Sequence, residues 1–253
     1  MAFEPVTDRG WWTRRRLPAA LGSLLERGTL VALVLVAAFA WGFAALYDEV
    51  REGDSLDFDR AVVLLFRNPA DLTDPIGPGW VESGVVDLTA LGGNFVVTFV
   101  TLAVAGFFFL ARKPHAAAFV LIAVLGAALL GFAAKLGFDR PRPDLVPHGV
   151  VVHTSSFPSG HAAGAAATYL TLGALLARFQ RERHLKVYVL GLAVAVTVAV
   201  GASRVYLGVH WPTDVLAGWT LGAGWALLCW TAARLLQRRG KVEGDADDDG
   251  RPD

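Results

Sequence analysis

Charged residues and cysteine are both scarce in this sequence. Only 18% of the 253 residues are Asp, Glu, Lys or Arg, and 23 basic residues balance 23 acidic ones. A net charge of zero argues against a general electrostatic attraction to nucleic acid. The single cysteine, Cys229, rules out an intrachain disulfide, and its position inside a hydrophobic run predicts a buried, unreactive thiol.

Hydrophobic residues are abundant: they make up 54% of the chain and give a mean hydropathy of +0.46. These values are typical of a membrane protein with several spans and unusual for a soluble domain. A helix needs about 20 apolar residues to cross a bilayer. Six runs approach or exceed that length: 28–47, 85–111, 116–134, 162–177, 187–202 and 215–236. The sequence therefore predicts an all-α, polytopic bundle of about six transmembrane helices.

The first apolar run, 28–47, has two interpretations. A cleaved signal peptide would have a shorter apolar core, of about 7–15 residues, followed by a small-residue cleavage site. The length of this run favours an uncleaved first span. Residues 1–27 then form a cytoplasmic N-terminal segment, residues 28–239 form the six-span domain, and residues 240–253 form a disordered acidic tail.

The segment 48–84, between the first and second predicted spans, is mixed in composition. Charged and apolar residues alternate over 57–67, a stretch too short to span the bilayer. It is either an amphipathic helix at the membrane interface or a helical loop packed on the bundle. The composition leaves both interpretations open.

The basic residues predict the orientation of the bundle, because Lys and Arg gather on the cytoplasmic side of short loops. With the N-terminus inside, the first outer connector is acidic, and most basic residues outside the three stretches described next fall on the inner side. The inner ones are Arg112, Lys113, Arg178, Arg181, Arg183, Lys186, Arg234, Arg238, Arg239 and Lys241. We therefore expect a multi-pass protein of the cell membrane with both termini cytoplasmic.

Three stretches place polar residues at span ends, where charge is costly and usually functional. They are 135–143, then 158–161 (Pro-Ser-Gly-His), then 203–214 (Ser-Arg-Val-Tyr-Leu-Gly-Val-His-Trp-Pro-Thr-Asp). The first follows the third span, the second begins the fourth, and the last joins the fifth to the sixth. All three therefore fall on the same side of the membrane, which the basic residues predict to be the periplasmic or extracellular side.

The residue types in these stretches suit a bound phosphate. Ser159 is predicted to cap a helix and leave the amides of Gly160 and His161 free, and such a helix N-terminus binds anions. Pro212 suits the first turn of a second helix that begins at the same place. Three cations add positive charge, and the arginine fork matches phosphate oxygens. They are Lys135, Arg142 and Arg204.

The same residues suggest a reaction. A neutral imidazole such as that of His210 is a nucleophile near pH 7. Asp214 can accept the other ring N–H of His210 and so fix its tautomer. His161 can protonate the leaving oxygen. No carboxylate cluster or Cys/His spacing calls for a metal, so the sequence predicts phosphoryl transfer without a metal or other cofactor.

Together the three stretches resemble the signature of the type 2 phosphatidic acid phosphatase superfamily. Lys135 is followed by six residues and Arg142-Pro143. Pro158-Ser159-Gly160-His161 forms the second part. Ser203-Arg204, five residues, His210, three residues and Asp214 form the third. The resemblance covers about residues 84–236 and makes 28–239 a membrane phosphatase domain of this type.

The resemblance implies roles for the matching residues. His210 would form a phosphohistidine, Asp214 would orient it, and His161 would act first as acid and then as base. The phosphate would be held by Lys135, Arg142, Ser159, Gly160 and Arg204. It also implies a membrane lipid phosphate or diphosphate as substrate, hydrolysed without a metal. Phosphatidate, phosphatidylglycerol phosphate and undecaprenyl diphosphate are the candidates, and no nucleic-acid partner is expected.

Two other functions share part of this pattern. A vanadate-dependent haloperoxidase would share the anion site, but those enzymes are soluble and this chain is mostly apolar. A transporter or lipid-binding protein that had lost catalysis would lack His210 or Asp214, and both are present. The sequence therefore favours a phosphatase.

Overall fold

A computed structural model of the protein describes residues 19–144 and 155–238. Within these residues the chain forms eight α-helices and one small antiparallel sheet. The helices are α1 (Ala19–Glu52), α2 (Leu56–Leu64), α3 (Gly79–Ala90), α4 (Asn94–Leu110), α5 (Pro114–Leu136), α6 (Gly160–Phe179), α7 (Arg183–Tyr206) and α8 (Pro212–Arg238), and the strands are β1 (Arg67–Asn68) and β2 (Asp71–Pro75). Most of the N-terminal segment 1–27 and all of the acidic tail 240–253 lie outside the described residues.

The described helices confirm the prediction of an all-α bundle with several membrane spans. Five of them are long and apolar enough to cross a bilayer: α1 over Arg27–Glu52, α5, α6, α7, and α8 over Pro212–Leu236. Helices α3 and α4 would together make a sixth span, but the chain bends by 46° between them. The predicted span over 85–111 therefore corresponds to a bent pair of helices rather than to one straight helix.

The break between α3 and α4 has a packing reason. A Cβ atom at Gly92 would collide with Cγ1 of Val200 and would lie 3.0 Å from the carbonyl oxygen of His161. Glycine therefore lets this connection pass directly against α6 and α7. Hydropathy detects that the segment is apolar but carries no information about such a change of direction.

Helix α6 is the centre of the bundle and packs against α4, α5, α7 and α8. Its α8-facing side is built from small residues, which lets the two backbones approach closely. A Cβ atom at Gly222 of α8 would collide with the carbonyl oxygen of Ala163 and lie 2.8 Å from Cβ of Ala166. Gly218 meets Ser159 and Ala162 in the same way. This packing brings the N-termini of α6 and α8 side by side.

Helix α2 packs on the bundle, as the interpretation of 57–67 as a packed helical loop predicts. Val63 is fully buried in a core cluster with Val205, Trp211 and Val215. Asp59, one turn earlier, is also fully buried. A carboxylate in such a position needs partners, and they prove to belong to the site described next.

Candidate active site

The three polar stretches meet at one end of the bundle, where α5 and α7 end and α6 and α8 begin. The backbone N–H of Ser159 donates to the carbonyl oxygen of Asp214 at 2.9 Å, which joins the second stretch to the third. Nη1 of Arg142 donates to the carbonyl oxygen of Val209 at 2.8 Å, which joins the first to the third. Residues separated by up to about 80 positions in the sequence therefore share one site.

His210 and Asp214 form a buried pair in this site. Nδ1 of His210 lies 3.4 Å from Oδ2 of Asp214, and the two residues are 2% and 0% exposed. His210 immediately precedes α8, and Asp214 lies in its first turn. Oδ2 of Asp214 also accepts from the backbone N–H of Trp211 at 2.9 Å and from the hydroxyl of Ser156. The carboxylate is thus held in place from several directions.

The other ring nitrogen of His210 faces a cation. Nε2 lies 3.2 Å from Nη1 of Arg142. Because a guanidinium can only donate, Nε2 must present its lone pair, and the ring proton is then on Nδ1, toward Asp214. Burial lowers the pKa of His210 to about 4, although Asp214 opposes this effect. At neutral pH the ring is therefore uncharged, with its lone pair on Nε2.

The start of α6 forms a second part of the site. Ser159 is fully buried and caps the helix, as predicted, with its Oγ accepting from the N–H of Ala162 at 3.5 Å. Gly160 is exposed, and a Cβ atom there would meet no heavy atom within 4 Å. His161 is partly buried, and its ring lies against the connection between α3 and α4, where a Cβ atom at Gly93 would be 3.8 Å from Nε2 of His161.

The predicted cations differ in their surroundings. Nη1 of Arg204 donates to Oγ1 of Thr89 at 3.1 Å, so the end of α3 supports it. The Nε groups of Arg142 and Arg204 are buried and find no acceptor among the described residues. Lys135 directs its ammonium group to the carbonyl oxygen of Ser155 at 2.6 Å.

Sequence reasoning missed two residues that contact Asp214. One is Ser156, and the other is Arg140, whose Nη1 donates to Oδ1 of Asp214 at 2.6 Å. Arg140 is only 9% exposed. Its position two residues before Arg142, in an Arg-Pro-Arg-Pro sequence, was the available signal. Ser156 carries no comparable signal, because it lies outside the three stretches.

The charges available for an anion come from side chains and helix ends. Among residues 19–144 and 155–238, no three His, Cys, Asp or Glu side chains are grouped so that they could hold a metal ion. Arg142, Arg204 and Lys135 supply positive charge, and the N-terminus of α6 adds the amide groups of Gly160 and His161. This arrangement can bind a phosphate next to a neutral imidazole.

Comparison with known proteins agrees with this geometry. The model of the PAP2 superfamily matches residues 116–238. Phosphatidylglycerophosphatase B of Bacillus subtilis (strain 168) is 37% identical over 149 residues, which are 56% of this chain and 70% of that protein. Undecaprenyl-diphosphatase of Sulfolobus acidocaldarius is 37% identical over 108 residues, which are 42% of this chain and 47% of that protein. Lipid A 1-phosphatase of Rhizobium johnstonii is 28% identical over 120 residues, 44% of this chain and 45% of that protein.

Two solved structures share the fold. The crystal structure of a transmembrane PAP2 type phosphatidylglycerolphosphate phosphatase from Bacillus subtilis has a TM-score of 0.65 and 28% identity. The match covers 82% of this chain and 98% of that chain. The crystal structure of Aquifex aeolicus LpxE has a TM-score of 0.50 and 22% identity, and the match covers 69% of this chain and 93% of that chain. The fold is therefore that of a multi-pass membrane phosphatase.

Fold, site and relatives together define the class of the protein, which is a membrane-embedded hydrolase that acts on phosphate groups. The chain belongs to the PAP2 superfamily. It is a membrane lipid phosphatase of the PAP2 type, which confirms the resemblance seen in the three sequence stretches.

Proposed function

We propose that the protein hydrolyses a lipid phosphate or diphosphate through a phosphohistidine intermediate on His210. The observation that carries this proposal is the orientation of the His210 ring. Its Nε2 presents a lone pair toward Arg142, and its Nδ1 faces Asp214. A buried, neutral imidazole held in one tautomer is suited to attack a phosphorus atom bound beside Arg142.

In the first step, Nε2 of His210 attacks phosphorus and the bond from phosphorus to the leaving oxygen breaks. A bound phosphate group would favour the protonated form of His161 by its negative charge, and His161 then gives its proton to that oxygen as the lipid product leaves. Nδ1–H of the phosphorylated ring stays toward Asp214, whose negative charge stabilises the imidazolium. In the second step, His161 takes a proton from water, the water oxygen attacks phosphorus, and the P–N bond breaks to release phosphate.

The phosphate oxygens would be held by the predicted cations and by the start of α6. The buried Nε donors of Arg142 and Arg204 have no acceptor among the described residues, so substrate oxygens can accept from them. Ser159 and Gly160 present the N-terminus of α6, and the open space at Gly160 permits close approach. Lys135 adds its charge from the end of α5.

We also propose that the reaction needs no metal, because the arginine and lysine side chains supply the charge stabilisation. Orthovanadate should inhibit, since it adopts the five-coordinate geometry of the transition state, and such analogues bind more tightly than substrates. Full activity after dialysis against a chelator is the expected result. Loss of activity that magnesium restores would contradict metal independence.

Phosphatidylglycerol phosphate is the first candidate substrate. The relative named phosphatidylglycerophosphatase B is matched over 70% of its length, and the related crystal structure over 98%. The second candidate is undecaprenyl diphosphate, named for a relative that is equally identical but matched over 47% of its length. Both substrates present a terminal phosphate to the same site, so the lipid beyond it must determine the preference.

A lipid panel tests the proposal. Purified protein and a His210→Ala variant should be assayed in mixed micelles with phosphatidylglycerol phosphate, undecaprenyl diphosphate and phosphatidate. We expect phosphate release by the wild type, highest with phosphatidylglycerol phosphate, and none by the variant. Equal rates for the two proteins would contradict the role of His210, whereas a different preferred lipid would change only the substrate.

The site is proposed to face the periplasm or cell exterior, with both termini in the cytoplasm. Asp54 precedes α2 at the site end of the bundle, and Arg181 lies between α6 and α7 at the other end; both are exposed. In a Cys229→Ala background, an impermeant thiol reagent on intact cells should label Asp54→Cys and spare Arg181→Cys. The opposite labelling pattern would reverse the orientation.

A further inference from the structure

A chain of buried charges continues from Asp214 into α2. Nη1 of Arg140 donates to Oδ1 of Asp214 at 2.6 Å, and Nη2 of the same side chain donates to Oδ2 of Asp59 at 2.6 Å. Both carboxylates are 0% exposed and Arg140 is 9% exposed. One guanidinium therefore links a carboxylate of α8 to a carboxylate of α2, 155 positions apart in the sequence.

Asp59 also binds the first turn of α8 directly. Its Oδ1 accepts from the backbone N–H of Thr213 at 2.9 Å, and its Oδ2 accepts from the Thr213 hydroxyl at 2.6 Å. Arg140 completes the ring of contacts by donating to Oγ1 of Thr213 at 2.8 Å and to Oγ of Ser55 at 3.3 Å. A buried ionic network is tolerated only when its members are satisfied in this way.

These contacts decide which way Asp214 points. Arg140 occupies Oδ1, so Oδ2 is left to face Nδ1 of His210. Arg140 is itself held by Asp59 at its other nitrogen. Without Asp59, the guanidinium would keep a single carboxylate partner and could turn, which would loosen its hold on Oδ1 of Asp214.

The network also sets the charge next to His210. Asp59, Arg140 and Asp214 carry −1, +1 and −1, which sum to one net negative charge. That charge favours the imidazolium that forms when His210 is phosphorylated. Replacing Asp59 by Asn would leave a neutral Arg140–Asp214 pair beside the ring.

We propose that Asp59, acting through Arg140 and Thr213, is a positioning residue for catalysis that holds Asp214 against His210. The inference rests on the proposed function, because it assigns Asp59 to the phosphorylation of His210. It gives α2, a helix outside the membrane spans, a part in the reaction. Among the described residues, the hydrogen bonds and ion pair of Asp59 join it to Arg140 and Thr213 and not to the groups proposed to bind phosphate, so the effect should fall on the chemical step rather than on binding.

Asp59→Asn is the variant that tests this, and Asp57→Asn is its matched control, because Asp57 is an exposed aspartate of the same helix. The first-turnover burst of nitrophenolate from p-nitrophenyl phosphate measures the phosphorylation rate, and inhibition by inorganic phosphate measures binding. We expect Asp59→Asn to slow the burst by about 10- to 100-fold, the scale of a small misplacement of a catalytic group. The inhibition constant for phosphate should stay within about threefold, and Asp57→Asn should match the wild type.

A second pair of variants covers the possibility that Asp59→Asn does not fold. Thr213→Val removes only the hydroxyl that bridges Asp59 and Arg140, whereas Thr213→Ser keeps it. The valine variant should show a slower burst with unchanged phosphate inhibition, and the serine variant should recover the wild-type rate. Recovery by serine would not be expected if Thr213 served only to fill space.

Two outcomes would overturn the inference. One is a wild-type burst rate in both Asp59→Asn and Thr213→Val. The other is that these variants lose the burst and the inhibition by phosphate together, in proportion to the fraction of protein that is folded. The network would then have only a structural role. The His210→Ala variant distinguishes failure of this inference from failure of the proposed function. If His210→Ala keeps the burst, the phosphohistidine mechanism itself is refuted. If His210→Ala lacks the burst, the two outcomes above concern only the role of Asp59.

Discussion

Replacing Asp214 by Asn probes the centre of the site, because all the contacts of its carboxylate described above come from donors. Arg140 binds Oδ1, and Trp211 N–H, the Ser156 hydroxyl and Nδ1 of His210 surround Oδ2. Asparagine keeps one acceptor oxygen and replaces the other with an NH₂ group that only donates. Whichever way the amide turns, its nitrogen meets a donor.

The two orientations have different costs. In either orientation the uncharged amide breaks the buried ion pair with Arg140, which costs about 3–5 kcal/mol of stability, and an NH₂ group that faces Arg140 also sets one donor against another. If it faces His210, Nδ1 must accept, the ring proton moves to Nε2, and the nucleophilic lone pair is lost. Fixing the wrong tautomer costs about 10⁴-fold in rate where an Asp–His pair has been tested this way. We therefore expect the phosphorylation rate of Asp214→Asn to fall by about 10²- to 10⁴-fold.

The assay is a rapid-quench measurement of the nitrophenolate burst, with thermal unfolding measured on the same preparations. Asp87→Asn is a suitable control, because Asp87 is an exposed aspartate on α3. A folded Asp214→Asn protein whose burst rate stays within about threefold of the wild type would refute the argument, since the tautomer of His210 would then not depend on Asp214.

Three further predictions concern the neighbouring residues. His161→Ala should slow the first turnover of a lipid phosphate far more than that of p-nitrophenyl phosphate. A lipid alkoxide must be protonated as it leaves, a contribution of about 10²–10⁴-fold in rate, whereas nitrophenolate leaves without a proton. Because burial lowers the pKa of His210 to about 4, the neutral ring persists in mild acid. The apparent pKa of the acid limb of the kcat/KM profile, corrected for substrate ionisation, should therefore lie well below the ordinary histidine pKa of about 6.5. Gly160→Ala should raise KM by placing a methyl group at the N-terminus of α6, whereas Gly164→Ala, further along the helix, should not.

Each of these has a clear contrary result. Equal losses on both substrates would remove His161 from leaving-group protonation. An acid limb centred near pH 6.5, about the ordinary value for histidine, would mean that the free enzyme does not hold His210 in a strongly desolvated state. An unchanged KM in Gly160→Ala, with Gly164→Ala also unchanged, would show that phosphate does not approach the start of α6 closely.

Local sequence patterns were sufficient to locate the apolar segments and to predict that most of the candidate site residues lie at one end of the bundle. Hydropathy located the apolar segments because bilayer thickness fixes a minimum length. Ser159 and Pro212 marked the starts of α6 and α8 because helix N-termini have strong local preferences. Counting membrane crossings then placed the two helix starts at the same end of the bundle.

Contacts made at long range were not predictable in this way. The bend at Gly92 depends on Val200 and His161, which are neighbours only after folding. The role of α2 depends on Asp59 meeting Arg140, 81 positions away, and Thr213. A buried carboxylate and an exposed one look alike in a sequence, so Asp57 and Asp59 could not be told apart.

The covalent intermediate offers the most direct test of the account. Wild-type protein should be mixed with a lipid phosphate labelled on the terminal phosphate, quenched in alkali within the first turnover, digested, and mapped by mass spectrometry. We predict a phosphorylated imidazole on the peptide that contains His210, and no label in His210→Ala. Label on His161 or on Asp214, or an unlabelled wild-type enzyme that still turns over, would contradict it.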